Sequence, residues 1–248
     1  MLAAATNIDV VHDFRRRDVA LGGQGAPLIP IFHKMLVKNQ DMPCMIVNIG
    51  GVANLTYVAE EELVAFDTGP GNALIDDMMM QLYGKAFDDE GTIAASGKVD
   101  ELIISRVLAE EYYNQTYPKS LDRNSFMFLA KEMEGKKPED IIATLTYLTS
   151  AAIVHSISLL PNIPKQIFIC GGGVKNKQII FWVNNVLKEQ NIPSKISNIS
   201  ELDDLDPDYI ESQGFAYLAA RFCNDLPSAF PSTTGARSVN TCGCLVKP

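Results

Sequence analysis

The sequence predicts an α/β fold in which an open sheet is flanked by helices. Three observations predict it: five short apolar runs have the character of strands, helical patterns separate them, and two of them lead through glycine-rich turns into helices. Hydrophobic residues make up 47% of the 248-residue chain, enough to bury a sizeable core. The predicted strands cover residues 45–49, 52–58, 63–66, 167–170 and 193–196, and the predicted helices cover residues 27–37, 72–83, 99–112, 141–160 and 208–225.

The third predicted strand leads into the stretch around which the chain is organised. Asp67 is expected at the C-terminal tip of that strand, where open α/β sheets place their chemistry. Gly69, Pro70 and Gly71 then form a tight turn that lets a ligand approach the main chain. The next helix is expected to direct its free N–H groups at this turn. A turn or helix cap is an equally good explanation of Asp67 from this stretch alone.

Two further glycine turns suit phosphate groups. The first joins the first two strands into a hairpin with Asn54 beside it, although hairpins use glycine routinely. The second follows the fourth strand and opens a helix, where three consecutive glycines favour a ligand over a bare close-packed turn. It lacks both the Walker pattern and the full dinucleotide spacing. The glycines of these two turns are Gly50, Gly51, Gly171, Gly172 and Gly173.

An arginine cluster lies near the start of the chain. Arg15, Arg16 and Arg17 stand between two aspartates and precede a glycine loop that contains Gln24. Guanidinium groups grip carboxylates and phosphates, so this cluster suits an anionic small molecule. The alternative is a solvated charge cluster that pairs with itself, and the spacing favours that alternative.

Charge and cysteine content exclude several functional classes. The net charge of −9 and a pI near 4.8 argue against nonspecific nucleic-acid binding, but they are compatible with a nucleotide held by a glycine turn. The apolar runs are too short for a membrane span, and the start of the chain does not resemble a signal peptide. Five scattered cysteines favour a reduced, cytoplasmic protein. We therefore expect neither a nucleic-acid partner nor a membrane partner.

The glycine turns and the acid together indicate a phosphotransferase, whose catalysis is mostly positioning and charge stabilisation. Unrelated acyl or hydride chemistry would require a histidine-based site or a dinucleotide fingerprint, and neither is evident. No metal-ligand cluster of histidines and cysteines is evident either, so no protein metal ligand is predicted.

Taken together, the motifs resemble those of the anhydro-N-acetylmuramic acid kinases, bacterial enzymes of cell-wall recycling. The resemblance implies a lobe of the RNase H-like, actin-like ATPase fold, with a mixed five-stranded sheet flanked by helices. The matching segments occur in the family's order and cover nearly the whole chain: residues 13–18, 22–28, 48–55, 66–72 and 170–173, and Glu211 with 215–219.

The resemblance also implies a reaction that depends on ATP and Mg²⁺. Water opens the 1,6-anhydro ring of the amino sugar while the γ-phosphoryl group moves to O6, giving N-acetylmuramic acid 6-phosphate in peptidoglycan turnover. By this likeness Asp67 is the general base that activates the water, and Glu211 contacts the sugar. The remaining implied sugar contacts are Arg15, Arg17 and Gln24, and the implied ATP contacts are Gly50, Gly51, Asn54, Gly69, Gly71, Gly171, Gly172 and Gly173.

One departure from the family is large. Its members begin with a strand and a Gly-Thr-Ser-x-Asp-Gly loop that binds the ATP phosphates, and nothing here matches that loop. We therefore expect residues 1–40 to be a remnant of an N-terminal lobe with an Arg/Gly-rich loop. Residues 41–225 are expected to form the C-terminal actin-like ATPase lobe, and residues 226–248 an irregular tail.

The missing lobe shapes the functional expectation. A two-lobed kinase needs both walls to exclude water and to align the phosphates, so the chain alone is expected to show little turnover. Candidate partners are a separately encoded N-terminal half and a second copy in a homodimer. The alternative function is a non-catalytic nucleotide- or sugar-binding remnant of such a kinase.

Overall fold

A mixed sheet forms the centre of the computed structural model, which describes residues 1–202 and 209–248. Local sequence explains its strands, since each is a short run of apolar and β-branched residues bounded by glycine, proline or charged turns. The strands are β1 Val10–His12, β2 Cys44–Ile49, β3 Val52–Val58, β4 Leu63–Pro70, β5 Gln166–Cys170, β6 Lys195–Asn198 and β7 Cys244–Val246.

The strand order of the five-stranded sheet is β4-β3-β2-β5-β6. Strand β3 runs antiparallel to β2 and to β4, whereas β5 pairs parallel with both β2 and β6. The predicted mixed five-stranded sheet is therefore confirmed, in the strand order that defines RNase H-like folds. The predicted hairpin is also confirmed, because only Gly50 and Gly51 separate β2 from β3.

Helices cover both faces of this sheet. The predicted helix 141–160 is observed from Pro138 to His155, with the proline in its first turn. The helix from Lys177 to Glu189, which the Asn176 side chain caps, was not predicted with bounds. The last predicted helix is confirmed from Ile210 onward, whereas its first predicted position, 208, lies outside the described residues. The helices are α1 Leu2–Thr6, α2 Arg16–Ala20, α3 Pro30–Leu36, α4 Ala73–Tyr83, α5 Thr92–Ser96, α6 Glu101–Leu108, α7 Glu111–Asn114, α8 Met127–Glu132, α9 Pro138–His155, α10 Lys177–Glu189, α11 Ile210–Cys223 and α12 Pro231–Thr234.

The two faces of the sheet belong to different apolar clusters. Met45, Val47 and Ile49 of β2 point into the larger cluster, which α4, α9 and α10 complete. The alternate residues, such as Ile46, point to the opposite face and pack with α3 and α11. Residues 138–159 are long and apolar enough to cross a membrane, but 83% of the apolar 18-residue window within them is buried inside the fold. We therefore interpret α9 as a core helix.

The predicted irregular tail is corrected in part. Residues 226–248 contain α12 and β7, and β7 pairs antiparallel with β1, Val10 opposite Val246. The tail also joins the arginine loop, because the Thr234 hydroxyl donates to the buried carboxylate of Asp18 at 2.7 Å. The two ends of the chain therefore pack together, which the composition of the tail does not indicate.

Candidate active site

The three glycine turns meet at one end of the sheet. The N–H groups of Gly71 and Ala73 donate to the carbonyl oxygen of Gly51, and the N–H of Asn72 donates to that of Gly50 at 2.7 Å. These donors were expected to face a ligand. In the structure the β2–β3 hairpin accepts the N–H of Ala73, the first residue of α4, so this donor does not face a ligand.

Close packing against neighbouring atoms accounts for several of the glycines. A Cβ at Gly71 would collide with the carbonyl oxygen of Gly50, and one at Gly171 would collide with the Asn48 side chain. Gly171 also has a φ of +80°, which disfavours other residues. The other close-packed glycines lie against neighbours as follows: Gly51 near Ala73, Gly69 near Ala152 and Tyr113, and Gly173 against Ile49.

Other predicted residues do line open space. A cavity of about 280 Å³ is bounded by Gly50 of the hairpin, by Gly171 and Gly172, and by Glu211 at the start of α11. Asn48 and Cys170, which lie opposite each other on β2 and β5, form its floor. The structure thus brings together residues from three predicted motifs that are far apart in the sequence.

A second cavity adjoins the first through Gly172. Its volume is about 390 Å³, and residues from α4, from the loop before α5 and from the turn after Gly172 surround it. The pKa of Asp76, which lines this cavity, is raised to about 6, mainly by burial and to a lesser extent by the negative charge of Asp77. The residues that line the second cavity are Asn72, Ile75, Asp76, Phe87, Asp88, Asp89, Glu90, Gly172, Lys175 and Asn176.

Asp67 does not lie at the tip of a strand. Strand β4 continues to Pro70, with Gly69 opposite Ala53 and Pro70 opposite Val52, so the predicted turn is part of the sheet. The strand continues because β3 supplies partners along its whole length, which the Gly-Pro-Gly pattern alone does not show. Asp67 lies opposite Asn54, at the position where the register of the two strands shifts.

The register places Asp67 in a row of polar residues. Asn54 pairs with Asp67 on one side and with Asn48 on the other. Directly opposed residues share a face of the sheet, and neighbouring strands lie roughly 5 Å apart. Asp67 is therefore on the same face as Asn48, two strands away from the floor of the first cavity.

Burial changes the pKa of the Asp67 carboxyl group. Burial raises its pKa to about 6, and a hydrogen bond from the Leu121 N–H to Oδ2, at 2.8 Å, lowers the pKa in part. A carboxylate with this pKa is ionised at neutral pH and is also basic enough to accept a proton from a substrate. The predicted alternative, a helix cap, is wrong in the described structure, because the side chain bonds to a loop 54 residues away.

The predicted sugar contacts near the N-terminus are not brought into either cavity. Arg15 and Arg17 are exposed, and the Arg15 guanidinium donates to the carbonyl oxygen of Gly25 at 2.7 Å. Arg16 pairs with Asp13, which agrees with the alternative of a self-paired charge cluster. Gln24 is exposed, and its N–H donates to the carbonyl oxygen of Thr234.

Sequence reasoning missed Asp18, the residue that shapes this loop. Its side chain is fully buried, and it accepts hydrogen bonds from the Gly25 N–H and from the Thr234 hydroxyl. A Cβ at Gly23 would collide with the same carboxylate. The available signal was that Asp18 flanks the arginine cluster. A buried carboxylate needs hydrogen-bond donors, and here the Gly25 N–H and the Thr234 hydroxyl supply them.

Sequence reasoning also missed the loop that contacts Asp67. The Tyr112 hydroxyl donates to the Asp67 carbonyl oxygen at 2.6 Å, and the Asp67 N–H donates to the Lys119 carbonyl oxygen at 3.1 Å. No motif marks these residues, because their contact with Asp67 depends on how the chain between α4 and α9 folds back.

The arrangement could hold a nucleotide but excludes thiol chemistry. A Cβ at Gly50 or Gly172 would make only ordinary van der Waals contacts, and both glycines line the first cavity, where a ligand could approach the main chain. Burial raises the pKa of the Cys170 thiol to about 12, so this thiol is protonated at neutral pH. Among the described residues, no three histidine, cysteine or acidic side chains cluster as metal ligands.

Comparisons with known proteins agree on one family. A family model described as anhydro-N-acetylmuramic acid kinase matches residues 1–248. A relative of that name from Rhodopseudomonas palustris (strain BisB18) is 42% identical over 250 residues, covering 100% of this chain and 67% of the relative. Another of that name, from Coxiella burnetii (strain Dugway 5J108-111), is 39% identical and covers 98% of this chain and 66% of the relative.

One similar solved structure is component A of (R)-2-hydroxyglutaryl-CoA dehydratase from Acidaminococcus fermentans. The two chains share 14% sequence identity and superpose with a TM-score of 0.44. That match covers 75% of this chain and 64% of the other. The chain spans about two thirds of the length of the curated relatives it matches. On the full-length family match and the identity to these relatives, the chain belongs to the anhydro-N-acetylmuramic acid kinase family.

Proposed function

We propose that this chain carries the base and the nucleotide half of an ATP-dependent kinase acting on 1,6-anhydro-N-acetylmuramic acid. The observation that carries the proposal is Asp67, a largely buried carboxylate whose pKa is raised to about 6, on the sheet face that floors the glycine-lined cavity. The printed names of the relatives support the same substrate.

In the proposed reaction, Asp67 accepts a proton from the attacking water. The water oxygen bonds to C1 of the sugar, the bond between C1 and O6 breaks, and O6 takes the γ-phosphoryl group. The products are N-acetylmuramic acid 6-phosphate and ADP. The raised pKa suits this role, because a general base works best when its pKa lies near the operating pH. Glu211, exposed at the start of α11, would contact the sugar from the opposite side of the first cavity.

The cofactor proposal assigns the two adjoining cavities to ATP. Gly50 and Gly172 would lie along the phosphates, and the cavity between Asn72 and Asn176 would hold the nucleoside. ATP supplies the transferred phosphoryl group, and Mg²⁺ would neutralise its charge. Mg²⁺ is commonly held by one or two carboxylates together with substrate phosphates, so a dedicated cluster of protein ligands is not required.

The proposed partners follow from the same reasoning. A separately made N-terminal half would supply the second wall of the cleft, which agrees with relatives that are about half as long again as this chain. A homodimer, a cytoplasmic location, and the absence of nucleic-acid and membrane partners are also proposed. Light scattering of the purified chain, with and without an added N-terminal third of a relative, tests the assembly.

The decisive experiment separates turnover from binding. The chain, alone and with the N-terminal third of a relative, is given ATP, Mg²⁺ and the anhydro sugar in ¹⁸O-labelled water. We expect little turnover alone and restored turnover in the pair, with the label at C1 of the sugar and not in the phosphate. Nucleotide binding without turnover in every combination would support the non-catalytic alternative instead.

Asp67→Asn is the diagnostic variant. We expect it to abolish turnover while nucleotide affinity, measured by calorimetry, stays within about twofold, because no nucleotide contact is assigned to this side chain. Asp41→Asn is a matched control, since Asp41 is exposed and pairs only with Lys165 among the described residues. Turnover retained in Asp67→Asn would remove Asp67 from the role of base.

A further inference from the structure

The outer edge of β4 is covered where it carries Asp67. Strand β4 is the last strand of its sheet, so the main-chain groups on its outer side have no neighbouring strand. Residues 112–121, here called the edge loop, occupy this position. The loop belongs to the connection between α4 and α9, and it reaches the sheet at Asp67.

Three hydrogen bonds from the edge loop converge on this one residue. The Tyr112 hydroxyl donates to the Asp67 carbonyl oxygen at 2.6 Å. The Asp67 N–H donates to the Lys119 carbonyl oxygen at 3.1 Å. The Leu121 N–H donates to Asp67 Oδ2 at 2.8 Å. In the part of the chain that the structure describes, Leu121 supplies the one hydrogen bond given to the carboxylate, which leaves Oδ1 without a protein donor.

Lys119 stabilises the edge loop from inside. Its side chain is only 3% exposed, and its ammonium group donates to the Tyr112 carbonyl oxygen at 2.6 Å. The same group lies over two aromatic rings, 4.5 Å from the centre of Tyr112 and 5.3 Å from that of Phe66. The Phe66 ring stacks in turn on Tyr117, at 5.6 Å and 4°. A buried lysine held in this way ties the loop to the residue that precedes Asp67.

We propose that Tyr112 and Lys119 are positioning residues for Asp67, holding it with Oδ2 anchored on the Leu121 N–H and Oδ1 open to a substrate proton. The inference rests on the proposed role of Asp67 as base, because such a group must be held within a fraction of an ångström of its working position. The convergence is specific, since three polar atoms of one residue are bound by a single ten-residue loop.

The test uses the full chain and does not require turnover. Tyr112→Phe removes one oxygen atom and keeps the ring under the Lys119 ammonium group. We expect hydrogen exchange of the Leu121 amide to become about tenfold faster, as the loss of one net hydrogen bond allows. We also expect the Asp67 titration, followed by NMR of ¹³C-labelled carboxylates, to move from about 6 toward 3.8, because water then reaches the carboxylate.

Tyr113→Phe is the matched control. The Tyr113 hydroxyl is buried without a hydrogen-bond partner among the described residues, so its removal should leave both measurements unchanged. Lys119→Met is the second variant, because methionine keeps the length of the side chain without its charge. It should speed exchange of the Leu121 amide, as Tyr112→Phe does.

The outcomes are decisive. An unchanged Asp67 titration in Tyr112→Phe, or an unchanged Leu121 amide in Lys119→Met, would overturn the proposal, because that residue would then not position Asp67. The expected changes would support it whatever the activity of Asp67→Asn. Failure of the base role and failure of the positioning role are therefore separated.

Discussion

The partly buried carboxylate of Asp67 should lower the stability of the fold at neutral pH, and Asp67→Asn should restore that stability. In the folded chain its pKa is raised from 3.8 to about 6, mainly by burial. The amide of asparagine has nearly the same shape, carries no charge, and keeps an oxygen that can accept from the Leu121 N–H. The variant should therefore unfold less readily than the parent chain above pH 6.

The sign and the size follow from the two protonation states. Between pH 3.8 and about pH 6 the folded chain keeps a proton on Asp67 that the unfolded chain has already released. Stability from this group is therefore lost as the pH rises through that window, and the loss is complete above it. A rise in the pKa of Asp67 from 3.8 to about 6 lowers the free energy of unfolding by about 2–3 kcal/mol at pH 7.5 and by less than about 1 kcal/mol at pH 4.

Urea unfolding of the parent chain and of Asp67→Asn at pH 4 and at pH 7.5 measures this difference. Asp100→Asn is the control of opposite sign, because a hydrogen bond from Lys136 is the main cause that holds the pKa of Asp100 below its ordinary value. That variant should lose stability at pH 7.5. Equal stability of Asp67→Asn and the parent at pH 7.5, or the same gain at both pH values, would refute the reasoning.

Three further predictions test the roles of the turns and of the arginine loop. Gly71→Ala should lose at least about 2 kcal/mol of unfolding free energy by urea titration, because its Cβ would meet the rigid carbonyl of Gly50; a loss below about 0.5 kcal/mol would contradict this packing. Gly172→Ala should fold with near-parent stability, since the atom nearest to the added Cβ, the side-chain amide nitrogen of Asn72, is 3.7 Å away. The same variant should bind ATP more weakly in calorimetry, and an unchanged affinity would exclude a ligand at this position. Asp18→Ala should lose about 2–4 kcal/mol in the same titration, because two buried donors lose their acceptor, and a neutral result would mean that the loop does not depend on it.

Much of the fold follows from local sequence. The strands around Gly50 and Gly51 were predictable because two short apolar runs joined by a two-glycine turn specify a hairpin over a few residues. The helix after Asn72 and the core helix, predicted from residue 141 and observed from Pro138, were predictable for the same reason, since their apolar character is a local feature. The order of motifs along the chain was also sufficient to indicate the family that the comparisons show.

The candidate site was predictable only in part. Gly50, Gly172 and Glu211 were predicted from their motifs, and the structure places them around one cavity. The role of Gly71 was not, because whether a glycine makes room for a ligand or for a neighbouring turn depends on what lies beside it. The prediction for Arg15 stays a prediction, since its guanidinium is bound to a loop carbonyl in this structure.

The sequence by itself thus determined the strands, the turns and the family, and it singled out Asp67 as the acid of the proposed site. Only the tertiary structure decided that Asp67 lies within a strand, that burial raises its pKa, and that Tyr112 and Leu121 hold it. The physical reason is the range of the interactions. Backbone propensity acts over a few residues, whereas desolvation and the hydrogen bonds to Asp67 come from residues 45 and 54 positions away.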